Sequence, residues 1–274
     1  MIQCEPFVGL ASFSQDPVTE CNMQLLEMKW PEVAALCKDT PVCIPIAALE
    51  QHGHHMPVFT DSLLLGEVVR RADEKLRNQV LFAPLQWFGN SEHHLDFCGT
   101  MSASPRLYLD LLRDMVENFL FHGFRRIVLV NGHGGNIVPG QQAMFELRQK
   151  YRSRMDLLLL SCTYWTLGGK PWESNPALTQ RQMGHACEWE TSMMLRIRPE
   201  LVGDLSLVQE VDWGRSFLPA HRAWTMKDRS VSGHVGDPRF ATADKGETLF
   251  HVFTEDVVSL FQRVIDWNGV DWDY

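Results

Sequence analysis

With 274 residues, 45 % of them hydrophobic and 22 % charged, the chain can build a sizeable core and matches a globular rather than a disordered or fibrous composition. A formal charge of −9, with basic pairs such as Arg125-Arg126 isolated, disfavours nucleic-acid recognition, which needs clustered cations, and points to a small-molecule partner. The seven cysteines form no CxxC pair, the first residues lack a basic segment followed by a long apolar one, and no run reaches the roughly 18 apolar residues of a membrane span, so reduced thiols, a cytoplasmic location and no membrane partner are expected.

Lys29-Trp30-Pro31-Glu32 opens a helical pattern, because Pro31 suits the first helical position and Val33, Leu36 and Cys37 recur at helical spacing. A continuous apolar run over 42–49 reads as a strand buried on both faces. From Asp61, an acidic start suited to an N-cap, an amphipathic helix follows. Residues 79–88 read as a second strand, and SPRLYLDLLRDMVENFLFHGF as a long helix closed by Gly123. RRIVLVNG is a third strand, PGQQAMFELRQKY a helix and MDLLLLSCTYW a fourth strand. A loop rich in Gly, Pro and Asn spans 168–181, helix resumes at EWETSMMLRI, residues 203–245 have weak periodicity, and a last helix runs through TLFHVFTEDVVSLFQRVIDW. Strands alternating with helices imply one α/β domain over residues 1–274, a three-layer α/β/α sandwich with a mainly parallel central sheet.

In open α/β sheets ligands bind beyond the carboxyl ends of the strands. Three polar clusters fall there: Glu50, His52, His54, His55 and Asp61; then Ser91-Glu92-His93-His94; then Asn131 to Asn136, NGHGGN. A fourth, GHACEWETS at 184–192, follows the irregular loop. A lone histidine in a loop is ordinarily a satisfied polar residue, and NGHGGN alone is a glycine turn lacking the lysine of a phosphate-binding loop. Carboxylates and imidazoles gathered at several strand ends suit Zn, Mn or Fe in a catalytic site, while the lack of paired cysteines disfavours a closed structural zinc. His54 and His55 are expected to shape the pocket, and Trp172, in a Gly/Pro loop, to cover it.

With these residues in place, the sequence resembles the creatininase family. Glu50-Gln51-His52-Gly53-His54-His55-Met56-Pro57 followed by Thr60-Asp61 matches the family pattern, as do Trp30-Pro31-Glu32, Ser91-Glu92-His93, Gly99-Thr100, Asn131 to Asn136, Glu190-Thr191-Ser192 and GDPRFATADKG. The resemblance covers a core of residues 26–265 and leaves 1–25 as an N-terminal extension. It implies a binuclear metal hydrolase, usually hexameric, with two divalent ions per chain. Glu50 and His133 are implied for one ion, His52 for the other, and Asp61 for the bridge. In creatininase a glutamate two residues beyond the second histidine completes the second ion's site, but Gly135 stands there in this chain. Glu190 is the expected substitute and Glu188 the next candidate.

The implied reaction is hydrolysis of a C–N bond in a cyclic amide or related small molecule, creatinine among them, by a metal-bridging hydroxide. His185 is the expected proton donor to the leaving nitrogen, with Glu92 beside it as a second catalytic candidate; Ser91, Gly134 and Trp172 are expected to contact substrate. Known family activities also include deformylation, peptide trimming and hydrolysis of a keto-inositol. A silent metabolite-binding protein, its metal site incomplete at Gly135, is the alternative of another class.

Overall fold

The structure is a computed structural model that describes residues 23–214, 217 and 219–272. Most of the expected N-terminal extension, with Cys4 and Cys21, lies outside these residues. Four parallel strands, β1 (Val42–Ile46), β2 (Leu81–Phe82), β3 (Arg126–Asn131) and β4 (Leu158–Thr163), form one sheet in the order β2-β1-β3-β4. Helices cover both faces, which makes the architecture an α/β sandwich; two of the helices, α1 (Trp30–Ala35) and α5 (Pro171–Ser174), are short.

The alternation of side chains along a strand explains the two cores. Val42, Ile44 and Ile46 of β1, with Ile127 and Leu129 of β3, point to one face and pack beneath α3 (Pro105–Phe121) and α4 (Ile137–Lys150). Cys43, Val128 and Val130 point to the other, under α2 (Thr60–Leu76), α6 (Glu188–Ile197) and the long α8 (Ala243–Asp266). Strands buried on both faces need continuous apolar runs, which is why the runs at 42–46 and 126–131 are legible as strands.

Two expectations shift. The strand foreseen over 79–88 narrows to Leu81–Phe82, with a further bridge from Gln86 to Ile46. Pro84, having no N–H to donate, breaks the ladder between them. The helix foreseen at Asp61 begins at Thr60, so Asp61 lies in its first turn and not at the cap. Its carboxylate is thereby free to turn toward the sheet. Among the described residues, no helix is long and apolar enough to cross a membrane.

The connections locate the site. After β1 the chain passes through α2 on one face, whereas after β3 it passes through α4 on the opposite face. Neighbouring strands whose connections leave to opposite faces open a crevice at their carboxyl ends. Here that crevice lies between β1 and β3, and residues 50–61 and 131–136 are the segments that enter it.

Candidate metal centre

The loop after β1 is folded tightly by its own backbone. The Glu50 N–H donates to Val58 O (2.9 Å), and Gly53, at φ +63°, lets its N–H reach the Gln51 side-chain oxygen (2.9 Å). The Ser62 hydroxyl on α2 donates to Ala48 O (2.8 Å), tying the start of that helix to the end of β1. Beyond β3 the Asn131 side chain brackets residue 133, accepting from its N–H (3.0 Å) and donating to its carbonyl (2.7 Å). Asn136 donates to Ala47 O (2.9 Å) and so fastens the second loop to the first.

These anchors bring Glu50, His52, Asp61, His133 and Glu190 together, all buried. Asp61 divides its two oxygens. Oδ1 lies 3.0 Å from His52 Nε2, and Oδ2 lies 3.0 Å from His133 Nδ1. Glu50 Oε1 is 3.3 Å from His133 Nδ1, and Glu190 Oε1 is 3.9 Å from His52 Nε2. Ligand atoms of one ion, each about 2.0–2.2 Å from it, stand roughly 3 Å apart when they subtend near a right angle.

Each imidazole is oriented from behind by a carbonyl, which can only accept. His52 Nδ1–H donates to Glu50 O (3.0 Å) and His133 Nε2–H to Asn90 O (3.0 Å). Their other nitrogens are thereby aimed at the carboxylates, as a metal-binding histidine requires. Ser91 is buried with its hydroxyl 3.2 Å from His133 Nε2, so it supports that ring and does not line the cavity.

The donor set fits divalent cations. Among the described residues no lysine or arginine forms an ion pair with Glu50, Asp61 or Glu190, and one oxygen of each of the three, buried, has no hydrogen-bond partner. Three buried carboxylates faced only by imidazoles are costly unless cations or protons fill their contacts. In the metal-free protein protons do so. Burial pulls the His52 imidazole down, but Asp61, Glu190 and Glu50 outweigh it and raise it to about 9. Burial likewise opposes His133, and Glu50 and Asp61 hold it well above its ordinary value. Burial raises Glu190 to about 7 against the attraction of His52. Burial also raises Glu50, yet His133 and His94 overcome it and hold that carboxyl well below the usual range.

Metal uptake at pH 7 is then expected to release a number of protons, those on His52 and His133 first. Titration calorimetry in buffers of different ionisation enthalpy reads that number, and metal uptake without proton release would contradict the assignment.

The cluster opens into a cavity of about 590 Å³ that also reaches His93, His94, Gly134 and His185. His185 Nε2–H donates to Gln51 O (2.8 Å), leaving Nδ1 facing Glu50 Oε1 at 3.5 Å. Burial, with His52 and His94 close by, pushes this imidazole well below its ordinary value. Gln51 is a residue that sequence reasoning passed over: buried between two expected ligands, it donates to His94 Nδ1 (2.7 Å) and to Gly233 O (2.7 Å).

Other expected residues lie elsewhere. Glu188 is consumed by Lys245 Nζ (2.6 Å) and by the Thr179 and Gln180 N–H groups, so it is not available as a ligand. Two residues apart on a helix point about 200° apart, and only Glu190 faces His52. Glu92 is exposed and outside the cavity lining. Trp172 stacks on Trp189 at 6.2 Å within the packing around α6 and α8 and does not cover the cavity. His54 is exposed, and His55 is buried against Ala186 O and Thr191, so neither shapes the pocket. The far wall comes instead from Met183, Trp213, Trp224, Met226 and Arg229. Four of these five fall in 203–245, where no periodicity marks them.

A parallel α/β sandwich with a carboxylate–imidazole cluster at its switch point defines a hydrolase scaffold with candidate metal ligands. The chain belongs to the creatininase family, whose sequence profile, described as creatinine amidohydrolase, matches residues 26–261. It is 30 % identical to the creatinine amidohydrolase of Pseudomonas putida over 86 % of this chain and 95 % of that one. It is also 30 % identical to the mycofactocin precursor peptide peptidase of Mycobacterium tuberculosis, over 82 % of this chain and 85 % of that one. Among solved structures it superposes on an Mn form of creatininase with a TM-score of 0.75 at 26 % identity, covering 90 % of this chain and 100 % of that one. A creatininase mutant of Zn-Zn type gives 0.74 at 28 %, with the same coverage.

Proposed function

We propose that this creatininase-family hydrolase holds two divalent cations, Zn in the first instance with Mn or Fe as alternatives, and cleaves the C–N bond of a small amide. The observation that carries this is Asp61, whose two oxygens are shared between His52 and His133, in a site of three buried carboxylates that, among the described residues, no lysine or arginine pairs. Glu50 and His133 would hold one cation, His52 and Glu190 the other, and Asp61 would serve both. Bound there, the cations supply Lewis acidity, which lowers the pKa of water and polarises a carbonyl.

The remaining steps belong to the chain. His185, with Nε2–H fixed on Gln51 O, presents Nδ1 to the reaction space, where it takes a proton from the incoming water and returns it to the leaving nitrogen. Gly134 lines the cavity with no side chain, so substrate can approach its backbone. Ser91 acts only through His133, and neither Glu92 nor Trp172 has a place in this scheme.

Elemental analysis of purified protein is expected to find two equivalents of metal, with amide hydrolysis abolished by a chelator and restored by the metal. One equivalent or less, or hydrolysis indifferent to chelation, refutes the reading. His185→Ala is expected to retain both cations while kcat drops roughly 10²–10⁴-fold, the usual share of general acid–base catalysis; unchanged kcat would remove His185 from the mechanism.

A second reading, cleavage of a peptide amide, is favoured by one observation. A further cavity of about 460 Å³ shares Trp213, His221, Trp224 and Arg229 with the first, giving room for an extended substrate.

A further inference from the structure

Arg229 closes the short helix α7 (Met226–Arg229) and lines the same cavity as Glu50, Asp61 and His133. Its guanidinium lies over the Trp224 ring at 4.8 Å and donates once, through Nη2, to Trp213 O (2.8 Å). Trp224 meets His93 edge-on at 5.0 Å, and His93 in turn stacks on His133 at 5.7 Å. This succession of rings sets Arg229 across the cavity from the carboxylate cluster.

Among the described residues no carboxylate forms an ion pair with this guanidinium. The two acids that share the adjoining cavity with it are committed or exposed: Asp228 accepts from the Thr225 N–H (2.7 Å), and Asp212 is exposed. Arg71, by contrast, is half-buried between Glu67 and Glu247. A guanidinium partly withdrawn from water, held over an indole and making a single hydrogen bond among the described residues, is a preorganised fork for a planar anion.

We propose that the substrate carries a carboxylate at the end remote from the bond that is cleaved, and that Arg229 recognises it. This rests on the hydrolase reading above, since it assigns the far end of the same substrate. Trp213 and Trp224 flank the intervening segment and exclude water from the pair, which strengthens it.

The test uses two compounds of equal size, succinamate and succinamide, which share an amide and differ in whether the other end is charged. Their binding to the metal-loaded protein is measured by calorimetry and by quenching of tryptophan fluorescence. Succinamate is expected to bind about tenfold or more tightly, as a charge-assisted pair implies. Arg229→Gln is expected to abolish the difference without changing metal content or Tm, and Arg229→Lys to keep part of it. Equal binding of the two compounds, binding of neither, or a preference that survives Arg229→Gln overturns the proposal; the last outcome would place the anion on the cations instead. Two cations and amide cleavage without discrimination would refute this proposal alone. An Arg229-dependent preference in a protein that holds fewer than two cations would refute only the hydrolase reading.

Discussion

Asp61→Ala is expected to cost the protein both cations and its activity together. Each oxygen of Asp61 faces a different imidazole at 3.0 Å, so no other single substitution removes a ligand from both positions. The loss should exceed the roughly 10–100-fold that removal of a partner behind a ligand costs, because the ligand itself is gone. The helix should survive: Asp61 is only in the first turn of α2, where a carboxylate contributes about 0.3–1 kcal/mol through the helix dipole. Metal analysis beside circular dichroism separates the two effects. A folded variant that retains two equivalents would show that Asp61 does not bridge.

The second large effect lies at a residue that touches no metal. A Cβ added at Gly135 would sit 2.1 Å from Asn90 O and 2.5 Å from His133 Nε2, closer than real contacts allow. Those two atoms are the hydrogen bond that orients His133 from behind. Gly135→Ala must therefore tilt the ring or push back the 90 loop. A Tm drop corresponding to about 1–3 kcal/mol of overpacking is expected, together with loss of the cation on the Glu50 side. Gly134 is the control. A Cβ there meets nothing within 4 Å, so Gly134→Ala should keep Tm and metal, and lose activity only where substrate needs that space. Equal behaviour of the two variants would refute the steric account.

The same geometry explains the departure from the creatininase pattern. A glutamate at position 135 could not be accommodated with Asn90 where it is, and the carboxylate near His52 comes from Glu190 on α6 instead. That substitution was legible because a vacant ligand position prompts a search for another acid in the site. Glu190 is already the first choice in the sequence and Glu188 the second; what the fold adds is the reason Glu188 falls away, since Lys245, far along the chain, engages it.

Strands β1 and β3 were legible for a simple reason, since burial on both faces demands unbroken apolar runs, and β4, a partly buried edge strand, carries a similar run. Glu50, His52, Asp61 and His133 follow from them, because they stand at strand ends or at the start of the next helix. The misplacements share a cause. Glu92, at the start of a single 3₁₀ turn, and Trp172, in a four-residue helix (Pro171–Ser174) inside the Gly/Pro-rich stretch, have directions that no hydrophobic period fixes. Ser91 was placed in the right region with the wrong partner, since one residue of turn separates the cavity from the back of His133. The wall formed by Trp213, Trp224 and Arg229 had no sequence signal at all.

Glu190 also changes what the cations mean for folding. Glu50, His52 and Asp61 are close neighbours in sequence and His133 follows the adjacent strand, whereas Glu190 arrives from half a chain away, after an irregular loop. On the proposed assignment, a cation held by His52 and Glu190 would be a clip that closes a very long loop, and its binding energy would add to the cohesion between the sheet and the α6–α8 pair. Chelation would then loosen the C-terminal half before the strands, and amide exchange in α6 would report it first.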